Sequence, residues 1–189
     1  MQKLLVLPLA LMFGVSAEAA RFVATLDGLQ EVPPVVTSAT GTGVAQIVGD
    51  WLYVHITYQD LTSPLTIAHI HCCAPSGVNV GIAVDLDMIP LPQTLSGSFS
   101  RQFDLNAAST YRAAFLNNFG GGTVAGARMA LLDAFKNELA YFNLHTQQFP
   151  PGEIRGQIMP IPEPGTWVLL IAGFGLVGSA ARRRLESLA

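Results

Sequence analysis

The sequence predicts an all-β domain: a Greek-key-like β-sandwich or barrel of about eight strands, with one or two short helices inserted before the last strands. Three observations predict it. Short runs rich in β-branched and aromatic residues recur between Arg21 and Met159, each bounded by Gly, Pro, Asn or Asp. The pair Gly49-Asp50 separates two of these runs at the spacing of a tight hairpin. Helical spacing is confined to one stretch, ahead of the final two runs.

Taken in order, the expected strands are Arg21 to Leu26, Thr42 to Val48, Trp51 to Tyr58, Leu65 to His71, Val80 to Leu86, Gly97 to Phe103, Ala140 to His145 and Ile154 to Met159. In the third, Trp51, Tyr53 and His55 alternate with Leu52, Val54 and Ile56, so one of these sets faces the core and the other does not. His55 stands alone on its strand and reads as an ordinary half-exposed residue. Helical spacing covers Ala107 to Leu116 and Val124 to Lys136, where Val124, Ala127, Leu131, Leu132 and Phe135 make one stripe. The run Gly120-Gly121-Gly122 lacks a following Lys-Ser/Thr and reads as a connector, not a phosphate cradle.

With 189 residues, half of them hydrophobic, the chain has room for one domain with a real core. Charged residues make up 12% and the net charge is −3, which leaves no basic field for nucleic acid. Mean hydropathy is +0.42, but the apolar excess sits at the two ends and the middle reads as soluble. At the start, Lys3 precedes an apolar stretch from Leu4 to Val15 and the small residues Ala17, Ala19 and Ala20. Residues 1–20 are therefore expected to be a secretory signal peptide, removed by signal peptidase.

Towards the other end, Pro162-Glu163-Pro164 precedes an apolar run from Trp167 to Ala181 and then Arg182-Arg183-Arg184. That run has 15 residues and three glycines, so it is a marginal membrane span. The arginines after it belong on the cytoplasmic side, which leaves the middle of the chain outside the cytoplasm. This triplet, short span and arginine cluster resemble the PEP-CTERM sorting signal. The resemblance implies an exosortase as processing partner, transient anchoring in the inner membrane through residues 161–189, and delivery to the cell surface, the extracellular matrix or the medium.

Three motifs hold the chemistry-bearing residues of residues 21–160. They are Leu29-Gln30-Glu31-Val32-Pro33-Pro34, Ala68-His69-Ile70-His71, and Asn143-Leu144-His145-Thr146 leading to Gly152-Glu153-Ile154-Arg155-Gly156-Gln157. In this order they closely resemble the CHRD, or chordin-type, domain from about Phe22 to Ile158. Cys72-Cys73 stands where a Gly-Pro type turn often follows in that family. The resemblance implies an extracellular β domain, and a growth-factor partner known for animal members is not carried over.

Read as residues, His69 and His71 at spacing two share one face of a strand, and His145 reaches them from a neighbouring one. This is a three-nitrogen set suited to Cu or Zn, with Glu31 or Glu153 as a fourth ligand or as support for a ring. The alternative is a hydrogen-bonded network in which the histidines, Glu31, Glu153 and Arg155 clamp the first and last strands to the centre. Glu153 and Arg155, two apart, would face the same side and pair, or Arg155 would fork onto Glu31. Cys72 and Cys73 are expected to form a vicinal disulfide in an oxidising compartment, with bonds between chains or thiolate ligation beside His71 as the alternatives. No nucleophilic triad is legible, so the expected function is a non-catalytic binding domain for extracellular protein or polysaccharide. The second function is a metal-binding or redox domain built on the histidines.

Overall fold

A computed structural model describes residues 20–161, together with residues 173, 174 and 177. The expected signal peptide at residues 1–20, apart from Ala20, lies outside the described residues. So do Pro162, Glu163, Pro164 and the arginines Arg182, Arg183 and Arg184 of the tail. Among the described residues no helix is long and apolar enough to cross a membrane.

Among the described residues, nine strands form one curled antiparallel sheet, a half-barrel. They are β1 (Ala20–Asp27), β2 (Thr40–Val48), β3 (Trp51–Gln59), β4 (Leu65–Cys72), β5 (Ile82–Asp85), β6 (Gly97–Asp104), β7 (Ala140–Thr146), β8 (Ile154–Gln157) and β9 (Met159–Pro160). Spatial order is β5-β4-β7-β8-β1-β2-β3-β6, with β9 alongside β1. Two helices, α1 (Ala113–Asn118) and α2 (Val124–Lys136), are inserted between β6 and β7.

The hairpin between β2 and β3 pairs Val48 with Trp51, leaving Gly49-Asp50 as the turn. Gly49 has φ +59°, a left-handed conformation that glycine adopts without a Cβ penalty. On β3 the set Leu52, Val54 and Ile56 is buried, and Trp51, Tyr53 and His55 face out. His55 does no more than share a hydrogen bond between Nδ1 and Ser100 Oγ at 2.9 Å.

The final expected run divides in two because its second part keeps only one of two neighbours. Its first part, β8, lies between β7 and β1, pairing with β7 over Ile154 to Gln157 and with β1 at Arg155 and Asp27, whereas Met159 and Pro160 pair with Val23 and Phe22 of β1 alone. Gly156 permits the close approach of β8 to β1, since a Cβ there would lie 2.3 Å from the carbonyl oxygen of Thr25. The stretch expected as a helix from Ala107 divides as well, into a 3₁₀ turn at Ala108–Thr110 and α1. The segment expected as a strand from Val80 begins at Ile82, and Val80 uses its carbonyl on a side chain instead.

The core fills the concave side, where Phe22, Leu26, Ile56, Ile70, Phe142 and Leu144 pack together. Helix α2 closes it with Ala127, Leu131, Ala134 and Phe135, the last meeting Phe22 edge-on at 5.2 Å between centroids. The edge strands β5 and β6 are stapled by Arg101 of β6, which donates from Nε to the carbonyl of Leu86 at 2.7 Å and from Nη2 to that of Ile89 at 2.7 Å. Strand β7 is buried along its whole length. One of its faces packs on the core, and the other carries the polar residues Tyr141, Asn143 and His145.

Candidate functional site

That polar face of β7 continues onto its neighbours because antiparallel register places like-facing residues side by side. His69 is paired with Asn143 and with Asp85, His71 with Tyr141, and Asn143 with Arg155. A register shift between Ile70 and His71 in the β4–β5 pair re-aims the second histidine. The loops around Glu31–Val35, Asn79–Val80 and Phe149–Gly152 line a cavity of about 390 Å³ over this face, with His71, Tyr141, Asn143 and Arg155 also in its wall.

The three histidines of the motifs converge. His69, His71 and His145 are 4%, 9% and 6% exposed, and His69 Nδ1 lies 3.1 Å from His145 Nε2. Ring centroids are 4.8 Å apart for His69 and His145 and 5.6 Å for His69 and His71. Two outer nitrogens are tied to backbone: His71 Nδ1 donates to Val80 O at 2.8 Å and His145 Nδ1 to Pro150 O at 2.8 Å. A carbonyl only accepts, so both rings carry their proton on Nδ1 and keep a lone pair on Nε2. His71 also stacks flat on Tyr141 at 4.8 Å.

His69 reaches a group that sequence reasoning missed. Its Nε2 lies 3.5 Å from Asp85 Oδ1, while Asp85 Oδ2 accepts from Arg112 Nε at 2.6 Å. Nothing in the sequence signals Asp85, because its strand has to be paired with β4 before the carboxylate meets the ring. Burial lowers the His69 pKa from 6.5 to about 3, with the other two histidines adding to the effect. Burial likewise lowers His71 to about 4 against the opposing hydrogen bond to Val80, and lowers His145. The rings are therefore neutral at physiological pH, the form that ligates metals.

These depressed values carry a pH dependence with a definite sign. In the unfolded chain each histidine takes a proton near pH 6.5, whereas the folded rings resist it. Their contribution to stability is complete above about pH 6.5 and is lost as the pH falls towards 4 and then 3. Each proton taken up on unfolding steepens the loss by about 1.4 kcal/mol per pH unit. Urea midpoints between pH 7.5 and 4 are expected to fall accordingly in the metal-free protein, and a flat profile would contradict neutral buried imidazoles.

The acidic motif residues form two sets apart from the histidines. Arg155 donates from Nε to Glu31 Oε2 at 2.8 Å and from Nη2 to Asn79 Oδ1 at 2.6 Å, its Nη2 also lying 2.8 Å from Glu31 Oε2 as an ion pair and its guanidinium 4.6 Å from the Tyr141 ring. Burial pushes the Glu31 carboxyl above its usual value, with the Arg155 hydrogen bond and charge pulling it back. Glu153 is 0% exposed and lies just before β8, outside the strand alternation that predicted a pairing with Arg155. It accepts from Thr37 Oγ1 at 2.8 Å, Thr62 N at 2.9 Å, Thr62 Oγ1 at 3.0 Å and Thr146 Oγ1 at 2.8 Å. The single network joining His69, His71 and His145 to Glu31, Glu153 and Arg155 is thus corrected to three hydrogen-bonded clusters: the histidines and the Glu31–Arg155 pair lie by the polar face of β7, and Glu153 meets Thr146, which alternates with that face.

Cys72 and Cys73 are joined to each other at the end of β4, with Cys72 buried on the core side, opposite His71. Their sulfurs are accordingly absent from the donor sets near the histidines.

The fold and this face define a class, an all-β domain whose motif residues are buried beneath its own loops. The CHRD domain profile matches residues 22–158, and the chain belongs to that family. The PEP-CTERM protein-sorting motif matches residues 160–184, a type of signal that exosortases process and that directs proteins to the surface or the exterior. Neither the curated proteins nor the solved structures contain a match to the chain.

Proposed function

We propose that this chain is an exported surface or extracellular-matrix protein whose CHRD domain is a non-catalytic binding module for an extracellular protein or polysaccharide. In this reading signal peptidase removes residues 1–20. The segment from Trp167 to Ala181 then holds the protein briefly in the inner membrane until an exosortase cuts near Pro162-Glu163-Pro164. The observation that carries the non-catalytic assignment is the state of the motif carboxylates. Glu153 accepts four hydrogen bonds from the surrounding loops and strand, and Glu31 is paired with Arg155. Both are committed to holding the fold, which argues against their use as the acid and base of a hydrolytic pair.

Fractionation of the producing cells tests this. The full chain is expected outside the cell, shortened at its C-terminal end and sedimenting with the extracellular matrix. A chain with Pro162→Ala, Glu163→Ala and Pro164→Ala is expected to stay uncut in the membrane fraction. Equal release of both chains would sink the sorting part, and failure of the released protein to associate with matrix would sink the binding part.

A further inference from the structure

We propose that His69, His71 and His145 together hold one divalent transition-metal ion of the imidazole-preferring kind, copper or zinc. This goes beyond the binding role proposed above and does not depend on it. One ring nitrogen from each histidine lies within 4.8 Å of the other two. A tetrahedral ion with bonds of about 2.0–2.1 Å holds its ligand nitrogens about 3.4 Å apart. The His69–His145 pair at 3.1 Å is already close to that spacing. Small ring rotations bring in the third.

A second, independent observation points to an ion. Among the described residues, four buried side-chain atoms have no hydrogen-bond partner, and two of them are His71 Nε2 and Asp85 Oδ1. Buried polar atoms are rarely left without a partner. One metal ion accounts for both. His71 Nε2 and His145 Nε2 present lone pairs because their Nδ1 protons are held by Val80 O and Pro150 O. For His69 to ligate through Nδ1, its proton must sit on Nε2, where it faces Asp85 Oδ1 at 3.5 Å. That supplies the missing donor to the carboxylate, which Arg112 already fixes through its other oxygen. Each ligand ring then has an outer partner, two carbonyls and one carboxylate, the arrangement that orients metal-bound histidines.

A hydrogen-bonded histidine cluster without metal explains the His69–His145 contact but leaves His71 Nε2 and Asp85 Oδ1 unpaired. Cysteine ligation is removed by the Cys72–Cys73 bond. Three imidazoles leave one coordination position for water, as in sites that are not purely structural.

The test uses the full chain, secreted and purified without a metal-affinity step, stripped with chelator and titrated separately with Zn²⁺ and Cu²⁺. About one equivalent of one or both is expected to bind, raising Tm by roughly 5–10 °C at a hundredfold excess over Kd. Mg²⁺ is expected to have no effect. With Cu²⁺, electron paramagnetic resonance should show coupling to three imidazole nitrogens. His71→Ala is expected to weaken binding at least about 100-fold, and His55→Ala, an exposed control, to leave it unchanged. Should His71→Ala fail to fold, the nitrogen count on the unmutated chain decides the matter. A folded chain that binds less than a tenth of an equivalent, a signal from two nitrogens or fewer, or loss of binding in His55→Ala would each overturn the proposal. None of these outcomes bears on matrix association, so the two proposals fail separately.

Discussion

Arg155→Ala is expected to lower the free energy of unfolding by about 3–5 kcal/mol. The guanidinium and the Glu31 carboxylate are 6% and 4% exposed, so removing one leaves the other as an uncompensated buried charge. Asn79 loses the donor to its Oδ1 in the same step, and Tyr141 loses the cation over its ring. Against a total stability of about 5–15 kcal/mol for a domain of ordinary size, one side chain then decides whether much of the population is folded at growth temperature. The double change Glu31→Leu with Arg155→Met is expected to recover most of the loss, because desolvating the pair offsets much of their mutual attraction. Urea unfolding of the two single variants and the double variant measures this as a cycle. A cost below about 1 kcal/mol for Arg155→Ala would show that water reaches the pair and that the first and last motifs are not clamped by it.

Glu153→Ala is expected to be comparably damaging, at about 4 kcal/mol. The carboxylate accepts from three threonines and from the backbone N–H of Thr62, drawing Thr37, Thr62 and Thr146 from three separate parts of the chain onto one group. Alanine removes the acceptor from a position with no exposure and strands the buried hydroxyl of Thr146, while also releasing the half-buried Thr37 and the exposed Thr62. Glu153→Gln is expected to cost markedly less, since one amide oxygen still accepts and the threonine hydroxyls can rotate to receive the amide N–H. Hydrogen exchange provides a local readout: the amides of Thr62 and Ala39 should lose protection in the alanine variant ahead of the core of β7. Equal costs for the two substitutions would mean that packing, and not hydrogen bonding, holds Glu153.

Much of the fold was legible. The helix α2 runs over Val124–Lys136, where the 3.6-residue stripe predicts it. The outward and inward sets of β3 follow directly from alternation. Where the reading fell short, the cause lies in partners that are distant in sequence. The last run splits because β8 lies between β7 and β1 whereas Met159 and Pro160 pair with β1 alone, and no local signal shows where a strand loses one of two neighbours. The pairing expected of Glu153 with Arg155 assumed a shared strand, whereas Gly152, at φ +136°, turns the backbone immediately before Glu153.

The site divides in the same way. Residue type and motif were enough to single out His69, His71, His145, Glu31, Glu153 and Arg155 as the residues of interest, and spacing two on a strand put His69 and His71 on one face. The strong family motifs, together with the sorting signal, likewise place the protein outside the cytoplasm without reference to coordinates. Only the tertiary structure decided how those residues are shared out: the histidines with Asp85 and Arg112, Glu31 with Arg155 and Asn79, and Glu153 with three threonines. The physical reason is range. Propensity and periodicity act over a few neighbouring residues, while strand register sets contacts such as His69 with His145, 76 positions apart, and Arg155 with Glu31, 124 positions apart. A periodic pattern shows which face a side chain occupies, and the register of the assembled sheet determines what it meets there.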